Sequence, residues 1–275
     1  GENVPVKASP VIKGEVESCF LDSGAFSLWS KSIKYAKDNC CGRWDYYDTE
    51  EFWAYMDAYA RFVKKYQVGI DLYANVDAIP NPELTWRNQR YLEREHALSP
   101  VPVVHCGTDL KWLKKYMDRG YPLICLGGLA GKMSQESRVT WLDAVFGCVR
   151  LSSVKLHGFA ITSYPLLLRY DWHSADSATW QHAASFGEIF VPRRSAGKFD
   201  YGKGPVRVGV TPRCVLIQKQ QLHVGNQTPL VRGLLEEYLT ECEAVLGEYK
   251  IVRVGCDYKL QEGETWHTKD KKNVF

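Results

Sequence analysis

Residues 101–128 (VPVVHCGTDLKWLKKYMDRGYPLICLGG) decide the fold class, because they contain one complete strand–helix–strand unit. The apolar runs at residues 101–105 and 122–126 are typical of short strands, and the segment between them carries apolar residues at helical spacing. Thr108 is placed to cap this helix and Gly120 to end it. Two apolar strands joined by a helix predict parallel neighbours within one sheet.

The same alternation extends over most of the chain. Further helices are predicted where a capping residue or a proline precedes helical spacing, at residues 49–66, 81–95, 134–149 and 228–247. The first of these begins at a capping box of Asp48 and Glu51. Its apolar face comprises Phe52, Met56, Tyr59, Val63 and Tyr66. Further strands are predicted at residues 18–21, 68–76, 156–162, 173–176, 206–210 and 251–255.

Polar residues or glycines follow successive strands: Asp22, Asp77, His105, Gly127–Gly128, Thr162 and Asp176. In a (β/α)8 barrel these strand ends converge on the face that holds the active site. A doubly wound sheet concentrates its site at one switch point, so this pattern favours an α/β fold of the TIM-barrel type. No linker or repeat divides the chain. We therefore expect a single barrel domain over residues 1–261, followed by a charged tail at residues 262–275.

The composition is that of a globular protein: 275 residues, 45% hydrophobic and 24% charged. No apolar run reaches the length of a membrane span, and no secretory signal is recognisable. We expect a cytoplasmic protein with no membrane partner. The nine cysteines have no framework spacing, which favours reduced thiols.

The net charge of +3 is too small to identify a nucleic-acid-binding protein. The local distribution is more informative, because residues 192–213 contain six cationic side chains and only one acid, Asp200. This segment is interpreted as a long loop that lies along phosphates, with a solvated loop of incidental charge as the alternative. The candidate nucleic-acid-binding residues are Arg193, Arg194, Lys198 and Lys203.

Two local motifs are weaker than they look. Residues 126–132 (LGGLAGK) are one residue short of a Walker A loop, and Met133 stands where Ser or Thr would contact the metal. The paired glycines either let the backbone approach a flat ligand or form a tight turn. His105 and Cys106 are neighbours on a strand and point to opposite faces, which disfavours a thiol nucleophile with an adjacent base.

The carboxylates are better candidates for chemistry. Residues 21–27 (LDSGAFS) place Asp22, a hydroxyl and the ring of Phe26 on one turn after a strand, although Asp-Ser-Gly is also a common turn sequence. Asp77 and Asp176 follow other strands, and we expect at least one of the three aspartates to be only a turn or capping residue. Reaction at a sugar anomeric carbon uses such a set, with one carboxylate as nucleophile and another moving protons.

These motifs resemble those of the tRNA-guanine transglycosylases. Residues 21–27 are similar to the DSGGFQ motif of that family, and residues 126–130 (LGGLA) are similar to its GGLA motif. The other matching segments, in the order of the family, are residues 73–77 (YANVD), 103–105 (VVH), 157–159 (HGF) and 173–177 (HSADS). The resemblance covers roughly residues 18–194.

The resemblance implies a barrel enzyme that exchanges guanine in a polynucleotide for a 7-deazaguanine of the preQ0 type. By position, Asp176 would attack C1′ of the target nucleoside, and Asp22 would act as general acid and base. Phe26 and His157 would enclose the ring of the base. The full set of implied substrate-binding residues is Asp77, Phe26, Ser23, His105, Gly127, Gly128, Leu129 and His157.

The departures from the family concern the parts that define tRNA enzymes. Ser27 and His105 stand where Gln is expected, and the cysteine cluster of the zinc subdomain is absent from the sequence. We therefore predict no required cofactor and no metal site, while a non-standard zinc site stays open. The sequences of residues 21–27 and 81–89 (NPELTWRNQ) resemble the compact phage and bacterial DNA-guanine transglycosylases of the DpdA type more than the tRNA enzymes.

The preferred partners are accordingly DNA and a small 7-deazaguanine. Two alternatives stay open: a transglycosylase acting on tRNA, and a non-catalytic barrel that binds nucleic acid beside an active subunit. The presence of both Asp22 and Asp176 argues against the second, because a binding module needs no nucleophile and acid. The sequence leaves a homodimer open.

Overall fold

The computed structural model describes residues 18–130, 133–161, 163–200, 202–211, 214, 216, 223–246, 250–251 and 264–265. They form a mixed α/β structure with parallel sheets, which confirms the predicted class. The chain divides into two compact units. The first comprises Gly1–Ile161 and Tyr170–Ala175, and the second comprises Thr162–Arg169 and Asp176–Phe275.

The strands of the first unit follow one another in chain order. They are β1 (Phe20–Leu21), β2 (Leu72–Tyr73), β3 (Val103–His105), β4 (Leu123–Gly127), β5 (Lys155–Gly158) and β6 (Ser174–Ala175). β1 pairs with β2, and β3 through β6 form a parallel sheet in that order. A parallel bridge between Ala74 and Val101 joins the two groups. Every pairing between these strands is parallel, and the described strand order has no reversal.

The helices of the first unit are α1 (Ala25–Asn39), α2 (Glu50–Tyr66), α3 (Pro82–Arg94), α4 (Lys111–Asp118) and α5 (Gln135–Val149), with 3-10 turns at Arg43–Asp48 and Gln67–Gly69. The predicted starts of α3 and α5 are confirmed. Asn81 Oδ1 accepts from the Leu84 amide at 2.9 Å, and Ser134 Oγ accepts from the Ser137 amide at 3.1 Å. Side-chain oxygens thus satisfy amide groups that lack a partner within the helix.

Two predicted helix starts are wrong. The cap of α2 is Thr49, whose Oγ1 accepts from the Phe52 amide, whereas Glu51 binds Lys31. Thr108 does not cap α4, because its hydroxyl donates to the His105 carbonyl at 2.7 Å and the helix begins only at Lys111. The hydroxyl tightens the end of β3 instead.

An aromatic-rich core packs around α2. Tyr46, Tyr47 and Phe52 are buried there, together with most of the predicted apolar face of α2. The exception is Tyr66, which is 45% exposed under the ammonium of Lys65. A second cluster takes side chains from successive strands: Phe20, Leu72, Val101, Val103, Leu123, Cys125 and Phe159. β3 and β4 are buried throughout, as expected for parallel strands covered on both faces.

The second unit contains α6 (Tyr164–Arg169), α7 (Thr179–Ser185) and α8 (Pro229–Leu246), with a 3-10 turn at Val224–Asn226. Its strands are β7 (Glu188–Val191), β8 (Arg193–Ser195), β9 (Lys198–Asp200), β10 (Val206–Gly209), β11 (Lys250–Ile251) and β12 (Glu264–Thr265). β7 pairs with β10 and β8 with β9, both antiparallel, and β11 pairs with β12 in parallel.

The predicted long loop at residues 192–213 is therefore wrong over its described part, which forms β8, β9 and β10. Ala196 and Gly197 turn the chain between β8 and β9 with φ of 49° and 79°. Two consecutive positive φ values suit the twist of a tight hairpin. Thr162, residues 252–255 of the last predicted strand and most of the predicted tail lie outside the described residues.

Candidate functional site

Predicted site residues of the first unit lie at the carboxyl ends of its strands. Asp22 directly follows β1, His105 ends β3, Gly127 ends β4, and His157 lies one residue before the end of β5. Asp77 follows β2 by four residues. Parallel strands bring these ends to one side of a sheet. We call this group of five residues the carboxyl edge.

Several of these side chains also project from the same face of the strands. Side chains two residues apart on a strand point the same way, so His105 lies on the same face as Val103. Gly127 lies on the same face as Cys125, where its missing side chain leaves space. Val103 and Cys125 belong to the buried cluster formed by successive strands. The carboxyl edge is therefore the continuation of that cluster toward the strand ends.

The central contact of the carboxyl edge is the pair of Asp77 and His105. His105 Nε2 lies 2.7 Å from Asp77 Oδ2, and the two side chains are 1% and 8% exposed for His105 and Asp77. A carboxylate only accepts, so this contact assigns a proton to Nε2. His105 Nδ1 is buried and has no hydrogen-bond partner in the part of the chain that the structure describes. A ligand or a water can satisfy that nitrogen.

The paired glycines are explained by close packing against His105. A Cβ at Gly127 would lie 3.2 Å from His105 Cδ2, so the absence of a side chain lets the imidazole pack there. The Gly127 carbonyl accepts from the Cys106 amide at 2.8 Å. Gly128 has a φ of +73°, a backbone region that glycine adopts without strain. The turn carries the chain to Leu129, which is buried.

The turn after β1 holds an exposed carboxylate beside a buried hydroxyl. Asp22 is exposed, whereas Ser23 is 1% exposed and its Oγ has no hydrogen-bond partner among the described residues. The Ser23 carbonyl accepts from the hydroxyl of Tyr55 at 2.6 Å. Gly24 has a φ of +71°, and a Cβ there would lie 2.7 Å from the same hydroxyl. Glycine is thus required next to Ser23 for this contact.

Tyrosines around the two carboxylates were not predicted as part of the site. Burial raises the pKa of Tyr59 well above its usual value, and the charges of Asp22 and Asp77 raise it further. The two carboxylates therefore lie near the same phenol. The pKa of Tyr55 is raised by burial and then by Asp22. Both phenols stay protonated and donate to backbone carbonyls, Tyr59 to that of Ala74 at 2.7 Å.

The only related signal in the sequence is the helical spacing of Tyr55 and Tyr59 on α2, and an ordinary core helix has the same spacing.

Phe26 and His157 have different surroundings. Phe26 is 69% exposed and stacks on Trp29, with ring centroids 5.3 Å apart at 26°. His157 is buried and packs against Phe20 and Phe159 at centroid distances of 4.9 and 4.8 Å. Its Nδ1 lies 2.9 Å from Ser174 Oγ. Phe26 offers an open ring face, whereas His157 is part of the buried cluster.

The other predicted site residues belong to the second unit. Asp176 directly follows β6 in the chain and is exposed. Arg194 forms an ion pair with Glu237, and Lys203 Nζ lies 3.1 Å from Asp200 Oδ2. Arg193 donates to the Gly204 carbonyl, whereas Lys198 is exposed and has no ion pair or hydrogen bond in the described part. Two of the four predicted cations are therefore in ion pairs, Arg194 with a carboxylate of α8 and Lys203 with one of β9.

Thiol and metal chemistry find little support in the described residues. Burial raises the pKa of Cys106 to about 11, so this thiol stays protonated beside Met133. No group of three or more metal-ligating side chains occurs among the residues that the structure describes. None of the described helices has the length and apolar character needed to cross a membrane.

Comparison of the chain with protein families, curated proteins and solved structures finds no match. The resemblance to the tRNA-guanine transglycosylases therefore rests on the sequence motifs alone. The geometry adds that the segments resembling the base-binding motifs meet at one edge of parallel strands, with Asp77 and His105 in direct contact.

Proposed function

We propose that this chain is a base-exchange glycosyltransferase that replaces guanine in DNA with a 7-deazaguanine. The observation that carries the proposal is the buried pair of Asp77 and His105, at an edge shared with Asp22 and Gly127. A buried carboxylate with its neighbouring polar groups suits recognition of a flat base with several N–H donors.

The (β/α)8 barrel belongs to this proposal. In such a barrel, each parallel strand lies beside the next one along the chain, and β1 to β6 have this order. In a doubly wound sheet the strand order reverses at the switch point. The buried cluster along successive strands has the character of side-chain layers inside a barrel. The carboxyl edge then corresponds to the active-site face.

Base recognition follows from the hydrogen-bonding capacity of the pair. His105 Nε2 binds Asp77 Oδ2, which leaves Oδ1 to accept from the amino and ring N–H groups of a purine. When Nε2 holds the only ring proton, Nδ1 of His105 presents an acceptor. A glutamine at that position would present a donor as well. The base that fits here therefore offers a further N–H toward His105.

The exchange requires two substitutions at C1′. The Asp176 carboxylate forms a bond to C1′ while the C1′–N9 bond breaks, and the departing guanine takes its electron pair and a proton from Asp22. The incoming base then gives its N9 proton to Asp22, and its N9 displaces the Asp176 carboxylate. Atoms and charge balance over the cycle.

The test is loss of exchange in the variant Asp176→Ala. We expect this variant to release no labelled guanine from DNA and to form no adduct that survives denaturing electrophoresis, while it still binds DNA. Asp171→Ala is the matched control, because Asp171 is an exposed aspartate near β6 that the proposal does not use. Undiminished exchange by Asp176→Ala would refute the assignment of the nucleophile.

The nucleic acid is tested in parallel reactions. Duplex DNA and tRNA, each carrying labelled guanine, are incubated with the protein and a 7-deazaguanine. Release from DNA supports the proposal, and release from tRNA alone favours the RNA-acting alternative. Binding without release from either polymer favours the non-catalytic barrel.

A further inference from the structure

A cluster of cations surrounds two tryptophans on neighbouring helices of the first unit. Lys115 Nζ lies 3.9 Å from the ring centroid of Trp86 on α3 and 4.5 Å from that of Trp112 on α4. The guanidinium groups of Arg119 and Arg90 lie 4.6 and 5.8 Å from the Trp86 centroid. We call these five residues the tryptophan–cation patch.

The patch has more positive charge than its ion pairs neutralise. Arg90 is paired with Glu93, but Lys115 and Arg119 have no carboxylate within ion-pair distance in the described part of the chain. The pKa of Lys115 is lowered by burial and then by the charge of Arg119, against a weaker opposing effect of Glu83. Two crowded cations repel each other, and a bound anion would relieve that repulsion.

The rings also hold the cations in place. An ammonium between two indole faces gains cation–π attraction and is restricted in its rotamers. Exposed lysines normally lose side-chain entropy when they bind a ligand. Lys115 has already lost part of this freedom, so less is lost on binding.

The patch lies on the flank of these helices rather than at the carboxyl edge. α3 follows the loop that carries Asp77, and α4 follows β3, which ends at His105. Both helices therefore begin on the side of the sheet where the strands end and run away from it. Lys115 lies in the second half of α4 and Arg119 directly after its end, so a polymer bound at the patch contacts the protein at a distance from the strand ends.

We propose that the tryptophan–cation patch binds consecutive phosphates of a DNA backbone. Arg119 and Lys115 supply N–H donors to phosphate oxygens, and the tryptophans orient those donors without reading bases. The identity of the polymer as DNA rests on the proposed function. The existence of the phosphate site does not, because charge and geometry define it.

The test measures DNA affinity as a function of salt, using a fluorescently labelled duplex. Lys115→Gln and Arg119→Gln each remove one cation of the patch. Lys114→Gln is the matched control, because Lys114 is an exposed lysine on the same helix with no cation–π contact in the described structure. Each patch variant is expected to weaken binding about eightfold at 0.1 M salt and to reduce the log–log salt slope by about 0.9, as one lost phosphate contact predicts.

Lys115→Arg separates loss of charge from loss of fold, since it keeps a cation over the rings and should retain affinity. All variants are compared by thermal unfolding. Affinity and salt slope of the patch variants equal to those of Lys114→Gln would overturn the proposal. Binding is measured in the Asp176→Ala background, where no base exchange is expected, so the phosphate site is judged by affinity alone. Failure of base exchange in the unaltered protein would refute the proposed function without changing this result.

Discussion

Removal of the His105 imidazole should destabilise the first unit more than the loss of one ordinary hydrogen bond. His105 is almost completely buried, and its Nε2 contacts Asp77 Oδ2 at 2.7 Å. In His105→Ala, Asp77 keeps its buried carboxylate but loses this donor. The variant His105→Gln keeps an amide donor of similar reach, so it serves as the matched control.

The expected magnitude lies between two estimates of the same loss, because the hydrogen bond and the charge that it compensates are not separate contributions. A hydrogen bond to a charged group contributes roughly 1.5–3 kcal/mol. Removing one partner of a buried pair costs about 3–5 kcal/mol, because the remaining charge is left uncompensated. The cavity beside Gly127 adds to this loss. We expect His105→Ala to lower the free energy of unfolding by about 4 kcal/mol and His105→Gln by about 1 kcal/mol.

The assay is urea unfolding at pH 7, with a double-mutant cycle that combines His105→Ala with Asp77→Ala. The cycle should give a coupling energy of about 2 kcal/mol, since both single changes break the same contact. Additive effects would refute a direct pair. Equal losses in His105→Ala and His105→Gln would show that the ring's packing, rather than its donor, stabilises the site.

Two further predictions concern stability. Gly158→Ala should cost about 1–3 kcal/mol because a Cβ would overlap the Ile161 side chain. Gly147→Ala within α5 meets no atom within 4 Å and should stabilise by about 0.5–1 kcal/mol. Thermal unfolding measures both, and shifts of the same sign would contradict one of the two expectations. The Tyr91 hydroxyl lowers the pKa of Asp57, so its contribution is present above about pH 4 and is lost as the pH falls through the lowered pKa. Tyr91→Phe should therefore lose about 0.5 kcal/mol at pH 7 and less at about pH 2 in urea unfolding, and a loss that does not change with pH would exclude this linkage.

The parallel strands of the first unit were the most predictable part of the fold. β3 and β4 are apolar along their whole length because both faces are buried, and this leaves a clear signal at residues 101–105 and 122–126. The starts of α3 and α5 were predictable because their caps act through local hydrogen bonds. Both signals depend only on neighbouring residues.

Other elements gave weaker local signals. α1 buries only Ala25, Leu28 and Ser32, and it begins after Gly24 with no side-chain cap. Its sequence therefore has neither a clear apolar face nor a capping residue from which a helix could be predicted. The β8–β9 hairpin consists of short, charged strands, and its turn uses the positive φ of Ala196, which an alanine seldom adopts. The charges together with the glycines and prolines of this segment led to the prediction of a loop.

In the candidate site as well, individual residues were predictable from local motifs, but contacts between residues far apart in the chain were not. Strand ends and motifs predicted Asp77 and His105 separately. Their contact depends on the register of β3 and on the loop after β2, which join residues 28 positions apart. The neighbouring phenols of Tyr55 and Tyr59 were also missed, because their helical spacing is equally typical of an ordinary core helix.

The pairing of Asp77 with His105 has a consequence for base recognition. A buried carboxylate without a partner is costly when no ligand is bound, and His105 supplies a permanent donor to one of its oxygens. The empty site is thereby stabilised, and an incoming base needs to satisfy only the other oxygen and His105 Nδ1. If the proposed function holds, base selectivity and the stability of the first unit depend on the same hydrogen bond. A substitution that alters His105 to change the preferred base must therefore preserve a donor to Asp77.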